Sequence, residues 1–250
     1  MSTPRIMFVH AHPDDESLWT GGLIARQVAM GGEVAVVMCT WVSGTPRHRE
    51  LLDALKELGV PDEPILLDYA DLKVPESAPG RERLCDASFD SEVAELASHI
   101  RRYRPDVLVT YDPYGIYGHP DHIRAHRLTC AAADAAATPT LYRDSAPAWQ
   151  VRSLYFATIA DWMVDALADE LFPRLEPGDF PGTPTQMLGL QLDVSEWIGH
   201  KVRAIESHRT ELARRSTVAS LMSLPRAQRD LALGTECYIR RDLTADGCDI

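Results

Sequence analysis

Short β-rich runs alternate with amphipathic stretches through residues 1–137, and this rhythm restricts the fold more than any other feature of the chain. A strand, a helix and a further strand repeated in this way wind onto a parallel sheet covered by helices on both faces. The runs Ile6–His10, Val34–Thr40, Ile65–Asp68 and Val107–Tyr111 read as strands. Ser17–Met30 reads as a helix stopped at Gly31-Gly32, where residues tolerant of positive φ end a helix. Arg47–Leu58 places Leu51, Leu52, Leu55 and Leu58 on one helical face, with Gly59 as the stop and Pro61 just beyond. Val93–Tyr103 and an alanine-rich Asp121–Ala137 complete the helices of this half.

After Ala137 the periodicity loosens. Thr138–Gln150 and Phe172–Pro184 are expected to be loops, candidates for a lid. Leu154–Ile159 is expected to be a strand, and Val194–Arg214 one helix capped by Ser195. No linker divides two complete apolar patterns, so the expectation is one α/β domain over residues 1–250, with a Rossmann-like, mostly parallel sheet flanked by helices. Residues 1–137 form its core βα units, and 138–250 supply lid loops and C-terminal elements.

Charge and cysteine usage narrow the function classes. Lys and Arg total 25 against 37 Asp and Glu, a net charge of -12, which argues against nucleic acid as a partner. The apolar runs are strand length, short of the roughly 20 residues of a membrane span. Met1–Arg5 leads directly into a strand without a secretory-type leader, which points to the cytoplasm. Cys39, Cys85, Cys130, Cys237 and Cys248 are odd in number and widely spaced, so reduced thiols are expected.

The chemistry concentrates in two segments. His10-Ala11-His12-Pro13-Asp14-Asp15-Glu16 follows the first strand, and Tyr111-Asp112-Pro113-Tyr114-Gly115-Ile116-Tyr117-Gly118-His119-Pro120-Asp121-His122 follows the strand at Val107. Ligands of open parallel sheets collect at the carboxyl ends of strands, so both segments point to one rim. Imidazole and carboxylate converging there suit a borderline cation such as Zn2+, with one position left for water. The prolines stiffen both turns and let neighbouring aspartates aim differently, one at the metal and one at the open position.

These two segments, in this order, resemble the LmbE-like (PIG-L) family of metal-dependent N-acetylglucosaminyl deacetylases. The resemblance rests on Ala11-His12-Pro13-Asp14-Asp15-Glu16, on Tyr117-Gly118-His119-Pro120-Asp121-His122 and on the strand-helix order. It covers residues 5–137 well and 201–238 more loosely. It implies one Zn2+ per chain, with Fe2+ as the alternative, held by His12, Asp15 and His122. It further implies Asp14 as general base, and His119 as the group that stabilises charge or assists the leaving amine, with Asp121 orienting or charging it. Tyr117 would contact the developing oxyanion, while Arg47 and Asp71 fall where family members hold sugar hydroxyls or the group attached to the sugar. The implied reaction is hydrolysis of an N-acetyl group from a small amino-sugar glycoside, releasing acetate.

Each residue also has a structural alternative. His10 reads as a packed histidine, and His126, four residues after His122, as packed more readily than as a further ligand. Glu16 suits the positive end of a helix dipole, Asp112 a turn before Pro113, and Arg47-His48-Arg49 a solvated helix start. His208 reads equally as a family histidine or a surface residue. Trp149 and Trp162 read as core packing before a sugar-stacking wall. Rival functions are cleavage of a longer acyl or thiol-conjugate amide, a non-haem iron enzyme using the same two histidines and one carboxylate, and a nucleotide-binding module. The last lacks its glycine-rich turn after the first strand.

Overall fold

The structure, a computed structural model, describes residues 3–143, 146–171, 182–214 and 216–250. Seven strands form one sheet: β1 (Ile6–His10), β2 (Val34–Thr40), β3 (Ile65–Tyr69), β4 (Val107–Tyr111), β5 (Ser153–Thr158), β6 (Leu190–Asp193) and β7 (Thr235–Asp242). Their spatial order is β3-β2-β1-β4-β5-β7-β6. The five strands from β3 to β5 run parallel, and β7 and β6 close one edge antiparallel.

All five residues of β1 are buried, because helices cover both faces of the sheet. Met7, Val9, Val37 and Leu108 point to the face covered by α3 (Phe89–Tyr103) and α5 (Pro120–Ala137). Ile6, Phe8, Val36 and Val109 point to the other, against Leu23 and Ile24 of α1 (Asp15–Ala29) and Leu51 and Leu55 of α2 (Pro46–Glu57). The period-2 alternation of strands thus sorts one sequence into two cores. Each predicted helix of the first half is present, with ends that coincide or shift by up to four residues. Thr45 caps α2, its side chain accepting the His48 N–H at 3.2 Å.

The strand order reverses direction at β1: the chain moves to β2 on one side and later to β4 on the other. Such a switch point opens a crevice at the carboxyl ends of the two strands. The loops after β1 and β4 therefore face each other.

The C-terminal half departs from expectation. Val194–Arg214 is not one helix but a 3₁₀ turn (Ser195–Trp197), α7 (Ile198–Ser207) and the short α8 (Arg209–Leu212). The break falls at His208, at φ -81° and ψ 61°, whose side chain turns inward. Ser195 is not a cap either; its N–H donates to Asp193 Oδ1 at 2.9 Å. Helices α6 (Asp161–Leu171), α9 (Thr217–Ser223) and α10 (Arg226–Leu233), and strands β6 and β7, occupy a stretch where only β5 and one helix are expected. Of the anticipated loop at 172–184, residues 172–181 lie outside those described.

Candidate metal centre and active site

The turn after β1 fixes its own geometry. The His12 N–H donates to Asp15 Oδ2 at 2.9 Å, and the Asp14 N–H donates to Glu16 Oε2 at 3.0 Å. Asp14 itself sits at φ 124° and ψ -28°, a conformation sparsely populated by residues with a side chain. Neighbouring aspartates thereby point apart, as the prolines of the motif suggest. The second loop is built by α4 (Gly115–Gly118), an irregular turn with Ile116 at φ 66°. A Cβ on Gly115 would meet His122 Cβ at 2.8 Å, so the loop closes onto α5 only with glycine there. Asp112 is a turn residue: Oδ1 accepts the N–H groups of Tyr114 and Ile116, and Oδ2 accepts the Thr158 hydroxyl.

Across the crevice three donor atoms converge. His12 Nδ1 lies 3.2 Å from His122 Nε2 and 3.3 Å from Asp15 Oδ2, and His122 Nε2 lies 3.4 Å from that same oxygen. Ligands about 2.0–2.1 Å from a tetrahedral ion stand about 3.3–3.4 Å from one another, so this triangle has the dimensions of a cation seat. All three side chains are buried. The surrounding charge also calls for a cation. Although burial opposes it, the carboxylates of Asp121, Asp15 and Asp71 hold the His12 imidazolium up to about 10. Burial would likewise raise the Asp15 carboxyl, but His122 and His12 keep it well below its ordinary range.

Two wider donor sets share His12, one with His119 and His122 and one with Asp71 and Asp121. In each set one member has a single donor atom engaged, which leaves His119 Nε2 and Asp71 Oδ2, the latter 3.4 Å from His12 Nε2. His119 caps α5, its Nδ1 accepting the Asp121 N–H at 3.2 Å, and Asp71 Oδ1 accepts the N–H groups of Lys73 and Val74. The triangle of His12, Asp15 and His122 is the most closely spaced of the three sets. His119 is pushed down to about 4 by burial and by the imidazoles of His12 and His122, so it is neutral. With Nδ1 accepting, its proton resides on Nε2, a donor.

Asp121 meets His119 through its backbone N–H, and its charge raises that ring's pKa against the stronger effect of burial. Its carboxylate does not reach His119; Oδ2 lies 3.1 Å from His12 Nε2 and accepts the Leu72 N–H, and Oδ1 accepts the Cys85 thiol. The cause is its position in the first turn of α5, where the backbone N–H meets the capping histidine and leaves the side chain free to hold His12 from behind.

Asp14 is pushed up to about 7 by burial, against the opposing charge of Arg47. Arg47 Nη2 stands 3.0 Å from Asp14 Oδ1 and also donates to the Pro13 carbonyl; Nη1 lies 3.7 Å from Glu211 Oε2. The guanidinium stacks 4.9 Å from the centre of the Trp41 ring and is only 5 % exposed, so the reading of residues 47–49 as a solvated helix start fails at Arg47.

Beneath Asp14 lies a buried pair, and it overturns the surface reading of His208. His208 is fully buried, with Nε2 2.8 Å from Glu16 Oε1 and 3.3 Å from the Ser17 hydroxyl. It is neither a surface residue nor aimed at the cavity. Glu16 acts beyond the helix dipole: it accepts both the His208 ring and the Asp14 N–H. His10 is packed, bonded to Thr20 and pushed down to about 4 by burial. His126 is packed too, bonded to the Tyr111 carbonyl. Trp149 donates to the Pro105 carbonyl, and Trp162 packs against the main apolar cluster.

A cavity of about 440 Å³ opens over the donor triangle, and His12, Asp14, Asp15, Arg47, Asp71, Tyr117 and His119 all line it. Trp19, Lys73 and Glu211 line it as well and escaped the sequence reading. Trp19 carried a usable signal: one helical turn after Asp15, its Nε1–H donates to Asp15 Oδ1 at 3.0 Å. Glu211 carried none.

The chain is similar to known proteins along most of its length. The sequence model described as GlcNAc-PI de-N-acetylase, PIG-L, matches residues 7–133. The 1D-myo-inositol 2-acetamido-2-deoxy-alpha-D-glucopyranoside deacetylase of Mycobacteroides abscessus is 37% identical over 243 residues, which cover 85% of this chain and 83% of that one. Two solved structures share the fold. The conserved protein TT1542 of Thermus thermophilus superposes with a TM-score of 0.63 at 21% identity, over 94% of both chains. N,N'-diacetylchitobiose deacetylase of Pyrococcus horikoshii gives 0.62 at 17% identity, over 95% of this chain and 84% of that one. With both motifs at the switch point and the match running from β1 through most of α5, the chain belongs to the PIG-L family.

Proposed function

We propose that this protein is a metal-dependent hydrolase that removes the N-acetyl group from an N-acetylglucosamine unit of a small glycoside or glycosylated metabolite. The observation that carries the reading is the buried triangle of His12, Asp15 and His122 beside Asp14, whose carboxyl burial pushes upward. A bound cation would polarise the acetamide carbonyl and acidify a water. Zn2+ is our choice of ion for this donor set, and Fe2+ takes the same ligands.

The residues divide the work as follows. His12, Asp15 and His122 hold the cation, and Asp121 orients His12 through Nε2. Asp14 takes the proton from the attacking water and delivers it to the amine nitrogen as the carbon–nitrogen bond breaks, leaving acetate and a free amine. A base near neutral pKa suits both transfers. His119, through Nε2–H, and the protonated phenol of Tyr117 donate to the developing oxyanion. Arg47 and Asp71 face the cavity and receive sugar hydroxyls. The Mycobacteroides abscessus relative is named for an inositol glycoside of the same amino sugar, which supports the choice of sugar. No helix among the described residues is long and apolar enough to cross a membrane. All five cysteines are unpaired, which favours the reducing cytoplasm.

The test is acetate release from a panel of N-acetylglucosaminides, with and without chelator. Release that chelator abolishes and added Zn2+ restores is the expected result. Release indifferent to chelator would overturn the reading.

A further inference from the structure

Two aromatic side chains that the proposed chemistry leaves unused hold the two carboxylate oxygens of Asp15. Tyr111, the last residue of β4, is fully buried, and its hydroxyl donates to Asp15 Oδ2 at 2.7 Å. The same phenol oxygen accepts the Ala11 N–H at 2.6 Å, which directs its one proton at Asp15. Its ring lies flat on His122, with centroids 4.1 Å apart and planes 5° apart. One side chain thus touches two of the three members of the donor triangle. From the other side, the Trp19 Nε1–H donates to Asp15 Oδ1 at 3.0 Å. Trp19 follows Asp15 by four residues on α1, the spacing that brings two side chains onto one helical face.

The two oxygens of Asp15 therefore have different duties. Oδ2 lies inside the triangle, 3.3 Å from His12 Nδ1 and 3.4 Å from His122 Nε2, and Oδ1 is turned to the indole. A carboxylate can give a cation one oxygen or both. To give both, Asp15 has to take Oδ1 away from the indole N–H, and a donor stripped of its acceptor is unfavourable. The indole cannot follow, because its ring packs against both large apolar clusters.

Resting on the metal-dependent reading above, we infer that Tyr111 and Trp19 are positioning residues that restrict Asp15 to one metal-ligating oxygen. Tyr111 seats Oδ2 and the His122 ring, and Trp19 holds Oδ1 away from the cation. The chain then offers the cation three donor atoms, and the remaining room is left to water and substrate. Freed of the indole, Oδ1 would turn in as a fourth donor, hold the ion at least as firmly and crowd that room.

Trp19→Phe keeps an aromatic ring against both clusters and deletes only the donor, so it tests the inference in protein loaded with Co2+ or Zn2+. The cobalt form of the variant should show a weaker visible absorption band than the unaltered protein, the mark of a higher coordination number. Its Zn2+ affinity should be equal or higher, and kcat on methyl N-acetylglucosaminide should fall about tenfold or more. An unchanged cobalt spectrum, or a Zn2+ affinity tenfold lower, would overturn the inference. Tyr111→Phe keeps the stack on His122 and deletes the donor to Oδ2, so Zn2+ affinity should drop by about 10–100-fold. Unchanged affinity there would remove Tyr111 from the inference; if that variant does not fold, the Trp19→Phe spectrum decides it alone. Spectrum and affinity are read without substrate. If the loaded protein cleaves no N-acetylglucosaminide, the deacetylase reading fails while these two measurements still decide the inference.

Discussion

The loops after β1 and β4 wall the cavity and the segment from His208 to Glu211 backs it, with Glu211 alone in its lining, but their side chains are held in different ways. In the loops, geometry is local: the His12 N–H on Asp15, the Asp14 N–H on Glu16 and the Asp121 N–H on His119 all bridge three residues or fewer. In the C-terminal segment the side chains reach distant partners, Glu211 alone having a local one in Arg214 as well. His208 reaches Glu16, the Thr210 hydroxyl reaches Glu50, and Glu211 reaches Arg47. In the function proposed above the loops carry the reacting groups, and the later segment backs Asp14 and Arg47. Damage to the first should abolish chemistry, whereas damage to the second should detune it and loosen the fold.

The largest expected effect tests the loops. His122→Ala should release the metal and lower kcat/KM by about 10³ or more, since one oxyanion donor alone is worth about 10²–10³. Full metal stoichiometry in that variant, measured by atomic absorption, would remove His122 from the triangle.

Arg47 joins the two regions, so its substitution should read out in both. Asp14 must be ionised to act as base, so kcat/KM should fall as pH drops below its pKa. Burial sets that pKa at about 7, and a bound cation moves it lower. Arg47 favours the ionised form, so Arg47→Ala should move the acid limb to higher pH, cut kcat/KM at pH 7 by about tenfold and raise KM. An unmoved acid limb would dissociate Arg47 from the base.

In the distant segment, His208→Ala leaves the Glu16 carboxylate buried without its partner. Loss of one member of a buried pair costs about 3 kcal/mol or more, and outer partners of a metal site commonly matter about tenfold. Denaturant unfolding should show the first and kcat the second, with the metal retained. Metal loss equal to that of His122→Ala would erase the distinction between the regions.

The smallest effect lies in the pH dependence of stability. Burial lowers the pKa of His126 in the fold from an unfolded value near 6.5, so the unfolded chain takes up the proton first. Stability from the neutral ring is present above pH 6.5 and declines as pH falls below it. His126→Gln should flatten that decline, seen as a smaller Tm difference between pH 7 and pH 5.

The same contrast explains what could be read from the sequence. Strands β1 to β4 alternate two apolar faces, and the helices between them carry apolar stripes and glycine stops, so the parallel half of the sheet and its rim are written locally. The residues that converge there were legible because two stiff His-Pro-Asp turns follow two strand runs. Strand β7 shows the opposite. Thr235–Asp242 has no clean alternation, and Glu236 is buried because it accepts N–H groups from Gly22 and Leu23, more than 200 residues away in sequence. His208 looks like any helical surface histidine until Glu16 is placed opposite it. Asp121 was legible as a site residue, but its target was not, since only the fold brings His12 to its carboxylate.

The central claim is that Asp15 helps hold the metal whereas its neighbour Asp14 moves the proton. Zinc titration of Asp14→Asn and Asp15→Asn, followed by turnover of each loaded protein, tests it most directly. Asp14→Asn should bind one Zn2+ as tightly as the unaltered protein and lose about 10²–10⁴ in kcat, while Asp15→Asn should lose the tight site. Tight binding by Asp15→Asn together with lost binding by Asp14→Asn would contradict the account.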